Sequence, residues 1–169
     1  MSKLAHSNQE TNHSRRTQTM SDLAVARSAW KQTIKSDGGH CPVCDRWGRV
    51  YSRRINKTMM KSLIWLHQSS PTDGPWTDIP LTAPRWLVRS NQLPTLRWWG
   101  LVERRTNDDL KKKHSGMWRV TTKGREFIDG TLRVPSMVFT YNGEPVGWSE
   151  TQTAASDHFE DFDYSEVMA

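Results

Sequence analysis

This chain has little cysteine, no long apolar run and few acids outside its C-terminal end. Two cysteines in 169 residues, Cys41 and Cys44, cannot make the disulfide scaffold of a small secreted domain. No apolar stretch reaches the roughly 18 residues a membrane helix needs, and the polar N-terminus lacks a signal-peptide core. A cytoplasmic protein with no membrane partner is therefore expected. Hydrophobic residues make up only 35%, so parts of the chain are expected to be disordered. Nine tryptophans offset that shortfall, because each can bury a large area. There is no glycine-rich phosphate loop, no nucleophile paired with a base and no pair of acids at a diagnostic spacing. The chain is accordingly read as a non-enzyme.

Charge is unevenly placed. The overall balance is +6, yet residues 149–169 hold six acids (Glu150, Asp157, Glu160, Asp161, Asp163 and Glu166) and no Lys or Arg. All 24 basic residues lie upstream of them. A basic body with an acidic tail points to a polyanionic partner.

Five segments follow from composition. Residues 1–19, polar and without periodicity, read as a disordered arm carrying His6, His13, Arg15 and Arg16. Residues 20–56 hold a helix and a cysteine turn. The helix, Ser21 to Lys35, has Ser21 as cap and a stripe of Leu23, Ala26, Trp30 and Ile34, which fits its own domain or a homodimer partner. Asp37-Gly38-Gly39 ends it. His40-Cys41-Pro42-Val43-Cys44 then resembles a zinc knuckle, in which a tight turn aims two thiolates at one point. Zinc is the cofactor implied, with His67 the best placed further ligand ahead of His40, His114 and Asp45. A knuckle that folds without metal, or a redox dithiol, stays open. Arg49 to Arg53 reads as a strand.

Residues 57–130 form the main domain. Asn56 caps a helix from Lys57 to His67 whose face is Met59, Met60, Leu63, Ile64 and His67. A loop over 69–75 leads to a short strand, Trp76 to Pro80. A second helix spans Pro84 to Ser90, with Arg85 and Arg89 on one face. A third starts at Asn91 or Gln92. Leu93, Leu96 and Trp99 turn inward, leaving Gln92, Thr95 and Arg97 outward. Gly100 suits a left-handed stop. Leu101-Val102-Glu103-Arg104-Arg105 is a strand, Thr106 to Gly116 a polar loop with Lys111, Lys112 and Lys113, and Met117 to Thr121 the returning strand. A helix closes at Thr122-Lys123-Gly124-Arg125-Glu126-Phe127. Residues 131–148 form a β-hairpin turning at Asn142-Gly143. Residues 149–169 read as a disordered acidic tail.

The run from Leu96 through Gly100-Leu101-Val102-Glu103, a polar loop, then Gly116-Met117-Trp118 and Thr122-Lys123-Gly124 to Phe127 resembles the winged-helix family of DNA-binding domains, over roughly residues 57–130. The resemblance implies an α+β fold: a winged helix-turn-helix core with an N-terminal helix, a Cys-x-x-Cys knuckle and an extra C-terminal β-hairpin. It implies that the third helix enters a major groove of double-stranded DNA, where Gln92, Thr95 and Arg97 face base edges. Pro94 and the shortness of that helix depart from the family pattern. Lys111, Lys112 and Lys113 would follow the phosphate backbone from the wing, with Arg53, Arg54, Arg85 and Arg89 as further phosphate contacts. Knuckle and winged helix together in a small basic protein resemble uncharacterised proteins of bacteriophages and prophages, which implies a bacterial host cell and, for a DNA-binding module, a regulator of transcription or replication. The alternative reading is a protein-interaction module that modulates a host protein.

Overall fold

The computed structural model describes residues 22–70, 76–107 and 115–158. The arm 1–19, the lysines 111–113, His114 and the tail beyond 158 lie outside them. The described chain is α+β and divides into two compact units, 1–51 and 52–169.

In the first unit, helix α1 spans 22–35 and Ile34 is its buried residue, with Ala26 and Trp30 half-buried. Leu23, expected in the same stripe, is exposed. The Ile34 carbonyl accepts from Val50 N at 2.7 Å. A short hairpin follows, β1 (Gly39–His40) against β2 (Trp47–Gly48), with His40 opposite Trp47. The cysteines stand in the turn between its strands. Strand β3 (Tyr51–Arg54) crosses the boundary between the units.

The second unit is built on α2 (Lys57–Ser69). Asn56 caps it as expected, its Oδ1 accepting from Met59 N at 2.9 Å. The helix runs two residues past the expected end. Met59, Met60, Leu63, Ile64 and Leu66 are buried, and His67 is half-buried. Strand β4 is only Thr77–Asp78. Its expected continuation to Pro80 is instead helix α3 (Ile79–Thr82). The reason is local: Asp78 Oδ1 accepts from Leu81 N, and Pro80, which has no N–H to give a strand ladder, sits in the first helical turn where none is needed. Helix α4 (Arg85–Ser90) starts one residue after Pro84 and ends on Asn91, at φ 49°.

The third helix is a 3-10 helix, Leu93–Trp99. A 3-10 turn takes three residues, so Leu93, Leu96 and Trp99 fall on one line, and all three are buried. Gly100 ends it in the left-handed region, φ 72°. Strand β5 (Val102–Arg104) pairs antiparallel with β6 (Met117–Val120), and β6 with β4, giving the order β4-β6-β5. Helix α5 (Thr122–Ile128) then begins at Thr121, whose hydroxyl accepts from Gly124 N. Gly124 is required by space: a Cβ there would lie 2.1 Å from the Leu101 carbonyl oxygen and 2.7 Å from Val120 Cγ1.

Beyond α5 come β7 (Val134–Pro135), β8 (Met137–Tyr141) and β9 (Glu144–Trp148). The β8–β9 hairpin turns at Asn142 and Gly143, φ 53° and 82°, as the sequence indicates. Two features were not legible. Strand β8 also neighbours β3, making a sheet of order β3-β8-β9. The expected disordered tail contains strand β10 (Gln152–Thr153), paired with β7, and a 3-10 turn, Ala155–His158. Thr153, Ala154 and Ala155 are buried, which holds this piece down. Val134, Val138 and Ala155 belong to the same core as Met60, Leu63, Leu96, Leu101 and Phe127, so the hairpin is part of the main unit and not an appendage.

The end of this segment is closed by a polar knot. Asp157 Oδ2 accepts from Ala154 N at 2.9 Å and from the Thr153 hydroxyl at 3.0 Å, with Arg133 at 3.5 Å. His158 Nε2 lies 3.1 Å from the same hydroxyl. The Ala154 and Thr153 hydrogen bonds, then Arg133, hold the Asp157 carboxyl below its ordinary value, and burial holds the His158 imidazole below its own.

Two predictions follow. Gly124→Ala should destabilise the protein by about 1–3 kcal/mol, the usual cost of forcing a methyl into packed backbone, read from the urea midpoint with an unchanged slope. An unchanged midpoint would contradict the packing. The lowered His158 value means the unfolded chain takes up the proton first. This contribution is full above the ordinary histidine value of 6.5, declines below it and is lost as pH falls through the lowered value of the folded state. His158→Gln should therefore flatten the fall in melting temperature between about pH 7.5 and pH 5.5.

Candidate nucleic-acid interface

In the second unit helix α4 is joined to the 3-10 helix through the left-handed Asn91. The inward line of Leu87, Leu93, Leu96 and Trp99 fixes both helices on the core. Three of the residues left outside are basic. Arg85 and Arg89 are exposed, one turn apart on α4, and Arg97 is exposed on the 3-10 helix. The Arg97 guanidinium stands 5.4 Å from the centroid of the Trp98 ring, a cation–π contact that leaves its N–H edge available. Gln92 and Thr95, expected to face outward, are half-buried. The Gln92 amide donates to Ser90 O at 3.3 Å, a local bond that a ligand would have to replace.

The β5–β6 pair forms the neck of the segment 105–116. Arg105 N donates to Met117 O, and the Ser115 hydroxyl donates to Arg105 O at 2.7 Å, which fixes where the connecting residues leave the sheet. Lys111, Lys112 and Lys113 belong to this connection and lie outside the described residues. Arg104 and Arg105, exposed at the neck, were read only as the polar end of a strand. Their position immediately before the lysine-bearing loop was the signal that could have singled them out. Arg119 is committed elsewhere: its Nε donates to Glu103 Oε1 at 2.5 Å and its guanidinium lies 4.4 Å from the Trp76 ring centroid.

Arg53 and Arg54 are exposed on β3, in a different sheet from the one that carries the neck. Arg54 Nε lies 3.3 Å from Met137 Sδ, so this side chain is laid along β8. Ion pairs among the described residues include His40–Asp45, Glu103–Arg119 and Asp157–Arg133. Arg53, Arg54, Arg85, Arg89 and Arg97 appear in none of them, and their charge is open to a polyanion.

Comparison with protein-family models, with curated proteins and with solved structures gives no match. The chain's chemistry therefore has to be read from its own residues.

The expected metal ligands fall in both units. Cys41 and Cys44 share the β1–β2 turn of the first, and His67 stands in the last turn of α2 in the second. Among the described residues no three His, Cys, Asp or Glu side chains gather into one group. The turn itself fits a thiolate pair. Cys41 N donates to Arg46 O, Asp45 N to Cys41 O, and Asp45 takes a left-handed φ of 57°, which closes the turn. The N–H groups of Val43 and Cys44 donate to the Cys41 sulfur and, with the neighbouring Cys44 thiol, hold the Cys41 thiol below its ordinary value. His40 Nδ1 is 2.8 Å from Asp45 O and 3.3 Å from Asp45 Oδ1. Among the described residues no helix is long and apolar enough to cross a membrane.

Alkylation should register the Cys41 environment. In metal-free, reduced protein, the pH midpoint for iodoacetamide modification of Cys41, followed by peptide mass mapping, should lie below that of a free thiol. A midpoint at or above the free-thiol value would show that the turn does not stabilise the thiolate.

Proposed function

We propose that the second unit is a winged helix and that the protein binds double-stranded DNA as a non-enzymatic regulator of transcription or replication, in a bacterial or phage setting. The observation that carries this reading is the element order. α2, β4, α3 with α4, and the 3-10 helix precede an antiparallel pair whose sheet order is β4-β6-β5, with a basic connection between β5 and β6. That arrangement supports a helix–turn–helix presented beside a wing. Arg85, Arg89 and Arg97 supply charge on the helical side; Arg104, Arg105 and Lys111–Lys113 supply it at the wing. Phosphate contacts from these groups give affinity, and any base preference rests on Arg97, with Gln92 and Thr95 limited by their half-buried position.

A second reading, a protein-interaction module, has its own support. An apolar hollow of 320 Å³ lies among Ile79, Leu87, Val88, Leu93, Pro94 and Trp118. Leu81, 81% exposed, on α3 and Val88, 48% exposed, on α4 add apolar surface on the same helices.

Fluorescence anisotropy of a labelled random duplex, titrated across salt concentrations, separates the two. The first reading expects micromolar or tighter binding with a steep salt slope. Replacing Lys111, Lys112 and Lys113 with Gln should weaken binding to every sequence and reduce the slope by about 2 to 3. Arg97→Ala should change relative affinity among duplexes more than the mean. Absence of binding at low salt would overturn the first reading in favour of the second.

A further inference from the structure

We propose that the Cys41–Cys44 turn is half of a zinc site that a second copy of the chain completes, two such turns placing four thiolates around one ion. The turn is built for the sulfurs. It sits at the end of a two-stranded hairpin, closed by Asp45 N to Cys41 O and by Cys41 N to Arg46 O. Cys41 and Cys44 stand three residues apart in one tight turn, which Asp45 closes with a left-handed φ of 57°. Both cysteines are free thiols. A pair held this way offers two vertices of a tetrahedron with sulfur about 2.3 Å from the ion.

The geometry of the tip favours a second copy as the source of the other two. Pro42, Val43, Cys44, Asp45 and Arg46 are exposed and Cys41 is half-buried, so the tip that carries the cysteines stands where another can reach it. The chain holds two cysteines, so a four-sulfur site takes both from each of two chains. Two identical turns related by a two-fold axis through the ion meet as an isologous contact. Val43, 62% exposed, would be buried beside the metal by that contact. The charge also balances. Four thiolates around a divalent cation carry a net charge of −2, and exposed Arg46 and Arg49, less exposed Asp45, give each of the two chains +1 close in sequence. Binding is coordination alone: each of the four thiols gives up its proton to solvent as its Zn–S bond forms, and no electron is transferred.

The test uses the full chain, reduced and freed of metal, titrated with Co²⁺ and in parallel with Zn²⁺. The expected result is saturation at about half an equivalent per chain, with the intense charge-transfer and red d–d absorption of tetrahedral cobalt tetrathiolate. Sedimentation should give the mass of a dimer with zinc, reversed by chelator. Cys41→Ser and Cys44→Ser should each lose both responses with unchanged circular dichroism, and His67→Gln should keep both. Saturation at one equivalent per chain, an absorption spectrum with mixed nitrogen and sulfur ligands, loss of the response in His67→Gln, or no uptake would each overturn the proposal.

Discussion

The second unit depends on two adjacent carbonyls, those of Gly100 and Leu101. Leu101 N closes the 3-10 helix onto Leu96 O. The Leu101 carbonyl accepts from Thr121 N, and the Gly100 carbonyl accepts from the Thr121 hydroxyl at 2.6 Å. That same hydroxyl caps α5 through Gly124 N. Four elements (the 3-10 helix, β5, β6 and α5) are thus joined at a point where the chain itself leaves no room for a side chain. The approach is close because Gly124 has none, and Gly100 can take the left-handed conformation that brings Leu101 back under the helix. Leu101 and Phe127, fully buried on either side, exclude water from these bonds, which makes each more costly to break.

This joint was the most legible part of the sequence. Glycine at the helix stop, the strand-forming Leu101-Val102 with its polar end, Thr-Thr-Lys-Gly at the head of a helix and Asn142-Gly143 at a hairpin are local signals, and each concerns residues a few positions apart. The Asn56 cap and the inward line of Leu93, Leu96 and Trp99 were legible for the same reason. What could not be read was pairing at a distance. Nothing in Gln152-Thr153 announces that it will lie against Val134-Pro135, and the acids around it argue for solvent. The decisive fact is the burial of the short side chains of Thr153, Ala154 and Ala155, which carry little hydrophobic signal individually. Likewise β3 reads as an isolated polar strand until β8 is set beside it. At Ile79-Pro80 two local signals competed, and the Asp78 cap with proline in the first turn outweighed strand alternation.

For the candidate site, residue type was legible and orientation was not. Arg85, Arg89 and Arg97 are exposed as the helical spacing requires. Gln92 and Thr95 are half-buried, because residues three apart line up in a 3-10 helix and their line continues to the half-buried Trp98. The C-terminal hairpin adds a constraint. Trp99 Nε1 donates to Pro135 O at 2.6 Å and Trp148 Nε1 to the Trp98 carbonyl at 3.4 Å, so the hairpin is anchored to the helix that would face a ligand.

That anchoring bears on how such a unit can discriminate. A short helix braced at its last turn by two indoles cannot rotate or slide to seek base edges, and two of its three polar side chains are partly covered. The arginines, by contrast, reach outward from α4, from the 3-10 helix and from the neck of the β5–β6 pair. A rigid basic frame with few free polar groups favours contacts with phosphate and with groove shape over direct readout of bases. Affinity would then come chiefly from charge. On the proposed reading, selectivity between sites beyond what Arg97 supplies would come from the shape and deformability of the duplex, or from joining two such units at a fixed spacing, a task to which a bridging contact between chains is suited.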